Sequence, residues 1–203
     1  MKKISLIILI ISGMLSACVS LITPKVESDV VKLKAGQYSL DPSHATLLFK
    51  IQHLGLSTYV GRFNQFDASL EFDPQNIEDA RLNAVIEIDS LDINDSDLKD
   101  DLMGRVWFRQ SEYPQATFTS NSVRSISETE FEFSGELDWR GERKVITVVA
   151  IFHGGASNIL TGKYTLGFSA KGAFLRSDFG MDKFVPLVGD EVTIEAYAEF
   201  LKN

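Results

Sequence analysis

Strict alternation of apolar and polar residues is the sequence feature that most constrains how this chain can fold. The clearest case is residues 81–89, where one face of an extended chain would carry Leu82, Ala84, Ile86 and Ile88. Asn83 and Glu87 belong to the opposite, polar face. A period of two residues predicts a β-strand with one buried and one wet face, which is typical of an antiparallel sheet.

Comparable runs recur along the chain, at residues 45–53, 60–72, 115–123, 130–139, 144–152, 163–175 and 191–201. About eight strands in a chain of 203 residues predict one all-β domain, either a closed barrel or a sandwich. A barrel removes the exposed strand edges that a soluble sheet must otherwise protect. An eight-stranded barrel can hold one slender ligand, and a core filled by side chains is the alternative.

Two stretches depart from the strand pattern. In residues 95–104, Leu98 and Leu102 stand at helical spacing, and Asp95 or Ser96 is a suitable N-cap, so we predict one short helix. Residues 177–190 contain two glycines and a proline and are predicted to form a long loop.

The start of the chain has the layout of an export signal. Two basic residues, Lys2 and Lys3, precede an apolar run over residues 4–15 that is too short to span a bilayer. The run ends in Leu15-Ser16-Ala17-Cys18, which resembles a bacterial lipobox. Cys18 is the single cysteine of the chain, so we predict that it is acylated after removal of residues 1–17. An ordinary cleavable signal with an incidental cysteine is the alternative.

The segment after Cys18 shows no sustained helical or strand pattern, so we predict an acylated tether over residues 18–35 and a folded domain over residues 36–203. Lipid attachment makes the membrane a partner and the cell envelope the location. Val19, rather than an aspartate, follows the cysteine and favours the outer membrane, facing the periplasm, by analogy with enteric bacteria.

The formal net charge is −8, and losing Lys2 and Lys3 would make it more negative. An acidic surface repels phosphate backbones, so we expect no nucleic-acid partner. The same charge weakens electrostatic docking on anionic lipid.

Residues that could perform catalysis do not form a recognisable motif. The three histidines, His44, His53 and His153, lack the spacing of a zinc site, and no cysteine remains to join them. The sequence contains no nucleophile elbow, dinucleotide fingerprint or phosphate-binding lysine motif. We therefore expect a protein that is not an enzyme and has no metal or cofactor; an enzyme acting on an apolar substrate is the less favoured class.

Phenylalanine is abundant, with 14 residues, most of them in the predicted strands. An aromatic-rich interior makes either a dense core or an apolar cavity.

Several motifs in order resemble those of the YceI-like family. They are Tyr38-x-x-Asp41-x-x-His44, Gly61-x-Phe63-x-x-Phe66, Tyr113-Pro114 with Phe118-x-Ser120, Gly135-x-Leu137 with Gly141, Arg176-x-Asp178-Phe179-Gly180-Met181, and Gly189-Asp190-x-Val192. The resemblance runs from about Gln37 to Phe200. The chain departs from the family pattern where Gly141-Glu142-Arg143 lacks the usual proline, and where Trp107-Phe108 replaces a pair of phenylalanines or similar residues.

The resemblance implies an extended, lipocalin-like antiparallel barrel that binds a long apolar lipid, such as a polyisoprenoid or a polyisoprenoid quinone. The residues expected in the wall of its tunnel are Phe49, Ile51, Phe66, Ala84, Ile86, Phe118, Phe168 and Phe179. A head-group site or a structural network is expected from Asp41, His44 and Arg176, with the structural role preferred. The alternative function is a non-catalytic envelope interaction or stress-related module with a filled barrel.

Overall fold

The computed structural model describes residues 24–158 and 162–203. These residues form ten strands and one α-helix: β1 (Gly36–His53), β2 (Ser57–Phe63), β3 (Phe66–Phe72), β4 (Arg81–Glu87), β5 (Leu91–Asp92), α1 (Ser96–Met103), β6 (Gln115–Ser125), β7 (Glu130–Trp139), β8 (Glu142–Ser157), β9 (Tyr164–Leu175) and β10 (Val188–Lys202). Within the described ranges, no helix is long and apolar enough to cross a membrane.

The sheet closes on itself because β1 has partners on both sides. One edge of β1 pairs with β10 along most of its length. From β10 the neighbouring strands follow in the order β9, β8, β7, β6, β4 and β3, and β3 pairs with the other edge of β1. All of these pairings are antiparallel. The predicted all-β, lipocalin-like barrel of about eight strands with one short helix is confirmed.

The stretch predicted as one strand over residues 60–72 is two strands, which use different parts of β1. Residues 36–39 of β1 pair with β3, and residues 47–53 pair with β2. Asn64 lies between the two strands and donates its backbone N–H to the carbonyl of Ser90 instead of continuing the ladder. The inward positions are odd-numbered in β2 and even-numbered in β3, so the break shifts the alternation by one residue, which the prediction of a single strand overlooked.

The first strand is longer than the predicted 45–53, because it begins at Gly36. Its pairing with β10 shifts register between Leu40 and Ala45. The intervening Asp41-Pro42-Ser43-His44 is largely exposed and polar, so it hides the strand from a search for alternation. The fourth strand ends at Glu87, two residues earlier than predicted, and Ile88 begins a short 3-10 turn.

Local interactions explain both α1 and the β7–β8 turn, where the sequence lacks the proline of the family pattern. Asp95 caps α1 by accepting a hydrogen bond from the backbone N–H of Leu98 at 3.0 Å. The β7–β8 hairpin turns through Arg140 and Gly141, whose φ angles are both positive, at 52° and 78°. Such a two-residue turn suits paired antiparallel strands and needs no proline.

In the part of the predicted 18–35 tether that the structure describes, the chain is partly packed against the barrel. Glu27 pairs with Gly155 through two backbone hydrogen bonds of 2.8 Å, and residues 30–32 form a 3-10 turn. Val30 and Leu33 are buried in the core at one end of the barrel. Two apolar side chains among many polar ones carry no periodic signal, so their burial was not predictable from the pattern. Cys18 and the predicted signal peptide lie outside the described residues.

Candidate ligand-binding cavity

The interior of the barrel contains a cavity of about 620 Å³ that runs between two groups of packed side chains. Its wall is built from the inward-facing residues of the strands, together with α1 and the loops at one end. This volume falls within the range of about 300–1,000 Å³ that is usual for small-molecule sites. The barrel is therefore not filled by its own side chains, which removes the filled-core alternative.

Most of the residues predicted for the tunnel wall lie in it. Seven of them border the cavity: Phe49, Ile51, Phe66, Ala84, Ile86, Phe118 and Phe168. The inward set of residues 81–89 also behaves as the alternation predicts, since Leu82 and Ile88 border the cavity as well. Asn83, on the opposite face, is exposed.

Phe179 is the exception among the predicted wall residues. It is buried, at 1% exposure, but it does not border the cavity. Its ring packs against Trp139 and Phe174, with centroids 6.0 Å and 5.4 Å away. Phe179 ends a 3-10 turn after β9, so its direction is set by that turn and not by the alternation of a strand. Phe179 therefore supports the wall residues on the side that faces away from the cavity.

One end of the barrel, here called the closed end, is sealed by packed apolar residues. Tyr38 and Leu166 are wholly buried there, and Phe131 and Phe152 nearly so. Val30 and Leu33 of the N-terminal segment belong to the same packed group. Among the described residues, the side chains at the closed end leave neither space nor an opening for a ligand.

The opposite end, here called the mouth, is built from loops and the helix. Leu98 and Leu102 of α1 border the cavity, and Trp107 and Phe184 come from the loops on either side. The rings of Trp107 and Phe184 lie 6.2 Å apart. Sequence reasoning noted Trp107 only as a family departure and missed Phe184, because residues brought together by loops carry no periodic signal.

His53 and Tyr59 also border the cavity at this end and were not predicted. His53 is the last residue of β1, beside the β1–β2 turn, and is exposed. From the sequence, His53 was considered only as a zinc ligand and set aside.

The surface that the cavity offers to a ligand is almost entirely apolar. Two polar atoms of residues that border it, the Tyr59 hydroxyl and the Trp139 indole nitrogen, are buried and have no hydrogen-bond partner among the described residues. Being buried, both atoms are withdrawn from the cavity surface as well as from solvent. A cavity of this kind stays dry, because a water molecule needs two to four polar partners. It suits a guest that needs no hydrogen bonds along its length.

Phe49 owes its position to a glycine. A Cβ atom on Gly61, in the neighbouring strand, would lie 2.4 Å from the Phe49 ring, so only glycine lets the ring lie flat against the backbone. The Phe49 ring also contacts Phe63, with centroids 5.8 Å apart. The Gly-x-Phe motif thus shapes one side of the cavity.

Arg176 is nearly buried, at 3% exposure, and borders the cavity near the mouth. Its guanidinium donates to the carbonyls of Gly189 at 2.8 Å and Val188 at 2.9 Å, and to the carbonyl of Met181. Burial lowers the pKa of Arg176, and the carboxylates of Asp190 and Asp182 partly oppose this effect. With three carbonyls bound, the guanidinium holds the loop before β10 in place, in keeping with the preferred structural role.

Asp41 and His44 lie away from the cavity, where the β1–β10 pairing shifts register. The Nδ1 atom of His44 is 2.9 Å from a carboxylate oxygen of Asp41, and the backbone N–H of Ser43 donates to the other oxygen at 2.9 Å. The hydrogen bond from His44 lowers the pKa of Asp41, and the same contact, helped by Glu199, raises the pKa of His44. The structure thus separates this pair from Arg176.

The ligand atoms of Asp41, His44 and Glu199 all lie within 4.8 Å of one another, close enough to hold a metal ion. The imidazole is already bonded to the Asp41 carboxylate, however, and His44 is exposed. The cluster needs no ion to hold it together, and we assign none to it. Asp178 and Asp182, two carboxylates that follow β9, are exposed.

Comparison with known proteins places these features in a family. The model of the YceI-like domain matches residues 38–200. A protein of Photorhabdus laumondii, UPF0312 protein plu2095, is 35% identical over 147 residues, which cover 71% of this chain and 76% of that protein. Protein YceI of Salmonella arizonae is 32% identical over 162 residues, covering 79% and 84%.

Solved structures share the fold. BcnA of Burkholderia cenocepacia is similar with a TM-score of 0.71 and 24% identity, covering 79% of this chain and 98% of BcnA. A polyisoprenoid-binding domain from Saccharophagus degradans, implicated in plant cell wall breakdown, has a TM-score of 0.64 and 14% identity, covering 82% and 98%. The barrel, the ordered motifs and the relatives agree, and the chain belongs to the YceI-like family.

Proposed function

We propose that this protein is an envelope lipoprotein that binds or carries a long apolar lipid of the isoprenoid type, a polyisoprenoid or a polyisoprenoid quinone, inside its barrel. The observation that carries the proposal is the dry, apolar cavity of about 620 Å³. A fold relative from Saccharophagus degradans is a polyisoprenoid-binding domain, which supports the same class of guest here.

The energetics favour a long hydrocarbon over a compact polar molecule. Each CH₂ group removed from water contributes about 0.8 kcal/mol, so a chain of many carbons binds tightly without a hydrogen bond. A branched isoprenoid also contacts the aromatic rings of Phe66, Phe118 and Phe168, which surround the cavity. Any polar group of the ligand would sit at the mouth, because the wall offers it no exposed partner.

The anchoring part of the proposal rests on Leu15-Ser16-Ala17-Cys18, with the acyl chains on Cys18. Two or more chains are needed for stable attachment. Val19 supports sorting to the outer membrane, with the barrel in the periplasm.

The proposed protein performs no chemistry on its guest. Among the described side chains that border the cavity there is no serine, cysteine, lysine or carboxylate, so the imidazole of His53 has no serine hydroxyl or cysteine thiol in the wall to activate. We expect lipid bound to the protein to be recovered chemically unchanged after long incubation. Steady formation of a hydrolysed or oxidised product, lost on changing His44 or Asp178, would show an enzyme instead.

The cavity is tested by filling it at Ala84. This residue faces the cavity between Ala68 of β3 and Phe118 of β6, so an indole at position 84 would occupy the space of the guest. We expect Ala84→Trp to abolish co-purification of lipid, measured by mass spectrometry of organic extracts, while the thermal melt changes little. A tightly packed interior would instead lose about 1–3 kcal/mol from overpacking.

Asn83→Trp is the matched control, because it places the same side chain on the exposed face of the same strand. It should change neither the lipid content nor the melting temperature. Ala84→Trp protein that unfolds, or that folds with a normal lipid content, would contradict a ligand site beside β4.

The anchor is tested separately with Cys18→Ser. This variant should lose the lipid mass on its N-terminus and leave the membrane fraction, while its barrel keeps its guest. Protein that stays in membranes with an unchanged mass would contradict acylation at Cys18. A wild-type protein that fractionates with the inner membrane in a sucrose gradient would contradict the outer-membrane location.

A further inference from the structure

The mouth of the barrel carries an unusual concentration of exposed apolar side chains, here called the rim. It consists of Leu54, Leu56, Val106, Phe184, Val185 and Leu187. The exposed fractions reach 85% for Leu56 and 60% for Leu187. Phe184, Val185, Pro186 and Leu187 are four successive apolar residues that are all exposed. Such a run is unfavourable in water and is normally retained for a function.

These residues form one continuous surface. The backbone N–H of Leu54 donates to the carbonyl of Leu187 at 2.7 Å, which joins the β1–β2 turn to the loop before β10. Phe184 contacts Trp107, which follows Val106 directly. The surface is also continuous with the cavity, because Trp107, Phe184 and Val188 border both.

The charged groups beside the rim match the polar layer of a bilayer. Lys183 places its ammonium 4.8 Å from the centre of the Phe184 ring and 5.9 Å from that of Trp107. Arg105, next to Val106, is exposed. Aromatic rings with a neighbouring cation are typical of residues at the membrane interface, where the cation meets lipid phosphates and the rings lie among the upper acyl chains. Asp182 is the acidic neighbour in the same loop.

The described N-terminal segment lies at the closed end and not at the rim. Val26 and Glu27 lie against Gly154 and Gly155, and the segment continues to Val30 and Leu33 at the closed end.

We propose that the rim is a docking surface for a lipid bilayer, into which the mouth inserts so that the guest passes between membrane and cavity without crossing water. This inference rests on the proposed function, because it concerns how the apolar guest enters. The attraction is mainly apolar, since binding at the interface grows with buried apolar area and the chain carries a net charge of −8. Vesicles of neutral phosphatidylcholine should therefore be sufficient.

Hydrogen–deuterium exchange of the full chain, with and without phosphatidylcholine vesicles, tests the docking surface independently of how the N-terminus is attached to a membrane. We expect exchange in peptides covering residues 54–57 and 183–188 to slow several-fold when vesicles are added. Peptides covering residues 29–34 at the closed end should not change. Protein that binds the vesicles while its rim exchanges at an unchanged rate, or that does not bind at all, overturns the proposal.

Two variants make the test specific. Leu56→Glu combined with Leu187→Glu adds charge at two exposed positions and should abolish the protection without unfolding the barrel. Val145→Glu is the matched control, because Val145 is 71% exposed on the outer wall of β8, and it should leave the protection intact. Protection that survives in the double variant overturns the proposal.

A second copy of the chain is the competing occupant of the rim. It would protect the same peptides without vesicles, in proportion to protein concentration, and that result would replace the bilayer by a dimer. Lipid content is measured on the same samples. A normal lipid content without rim protection means that docking fails while the carrier function stands, and an absent guest means that the proposed function itself fails.

Discussion

At the closed end of the barrel, Tyr38, Phe131 and Leu166 pack against one another and leave no space, whereas at the mouth Trp107 and Phe184 stand around a cavity and reach solvent. The two ends are made from similar apolar and aromatic side chains. They differ in the backbone that carries these side chains, which consists of hydrogen-bonded strands at the closed end and of loops at the mouth.

The backbone explains the difference. At the closed end the strands continue as hydrogen-bonded neighbours, so their inward side chains must converge. At the mouth, β2 pairs outward with the two-residue β5, and α1 with its following loop forms part of the wall. At the mouth, hydrogen bonds from Arg176 to backbone carbonyls take the place of hydrogen bonds between strands. A barrel therefore remains open where loops, fixed by a few polar contacts, replace strand pairs.

The largest expected effect comes from two leucine truncations that compare a packed site with one beside the cavity. Leu166→Ala, at the closed end, should lower the free energy of unfolding by about 2–5 kcal/mol, because it removes contacts on every side of a fully buried residue. Leu82→Ala, beside the cavity, should fall at or below the lower limit of that range, since one side of Leu82 already faces space. Urea denaturation of both variants measures the difference, and equal losses would contradict it.

An intermediate effect is expected at the polar support of the mouth. Arg176→Met removes the donor to three carbonyls and should cost at least about 1–3 kcal/mol, the penalty for one buried carbonyl without a partner. Exchange of amides in residues 181–189 should rise more than in the closed end. Arg124→Met is the control, because this exposed arginine forms a surface ion pair with the carboxylate of Glu132, and such pairs contribute little. A shift in the control as large as in Arg176→Met would remove the special role of Arg176.

The smallest effect concerns the exposed Asp41–His44 pair, outside both packed regions. The pKa of His44 is raised from 6.5, so its contribution to stability is complete below that value and is lost as the pH rises through the raised pKa. The pKa of Asp41 is lowered from 3.8, so its contribution is present above 3.8 and is lost as the pH falls through the lowered pKa. The difference in melting temperature between wild type and His44→Gln should therefore be largest between these two values. A difference independent of pH would show that the ion pair does not contribute.

The parts of the site carried by strands were predictable from the sequence. Alternation assigned Ala84 and Ile86 to the inner face, because a slip of one residue would turn the entire apolar set outward. The helix was predictable for a similar reason, since Asp95 and the spacing of Leu98 and Leu102 are local signals.

The parts carried by turns and loops were not. Phe179 was expected in the wall from the family resemblance, yet a 3-10 turn directs it behind the wall. Phe184 lies in a loop flanked by Met181 and Gly189, whose carbonyls accept hydrogen bonds from Arg176, and no periodicity encodes such contacts. The docking of Val30 and Leu33 likewise depends on a bridge between Glu27 and Gly155, far apart in sequence.

The packed group of Tyr38 and Leu166 has a consequence for the order of events during exchange of a guest. Since that end offers no passage, loading and release must follow the same path in opposite directions, and the end of the molecule that goes in first comes out last. A guest with two different termini would then always be held in one sense, with its more polar terminus outermost. During release, the deepest carbon of the guest would have to move past every aromatic ring of the wall. A longer guest should therefore leave more slowly, because more of its apolar length has to leave the cavity.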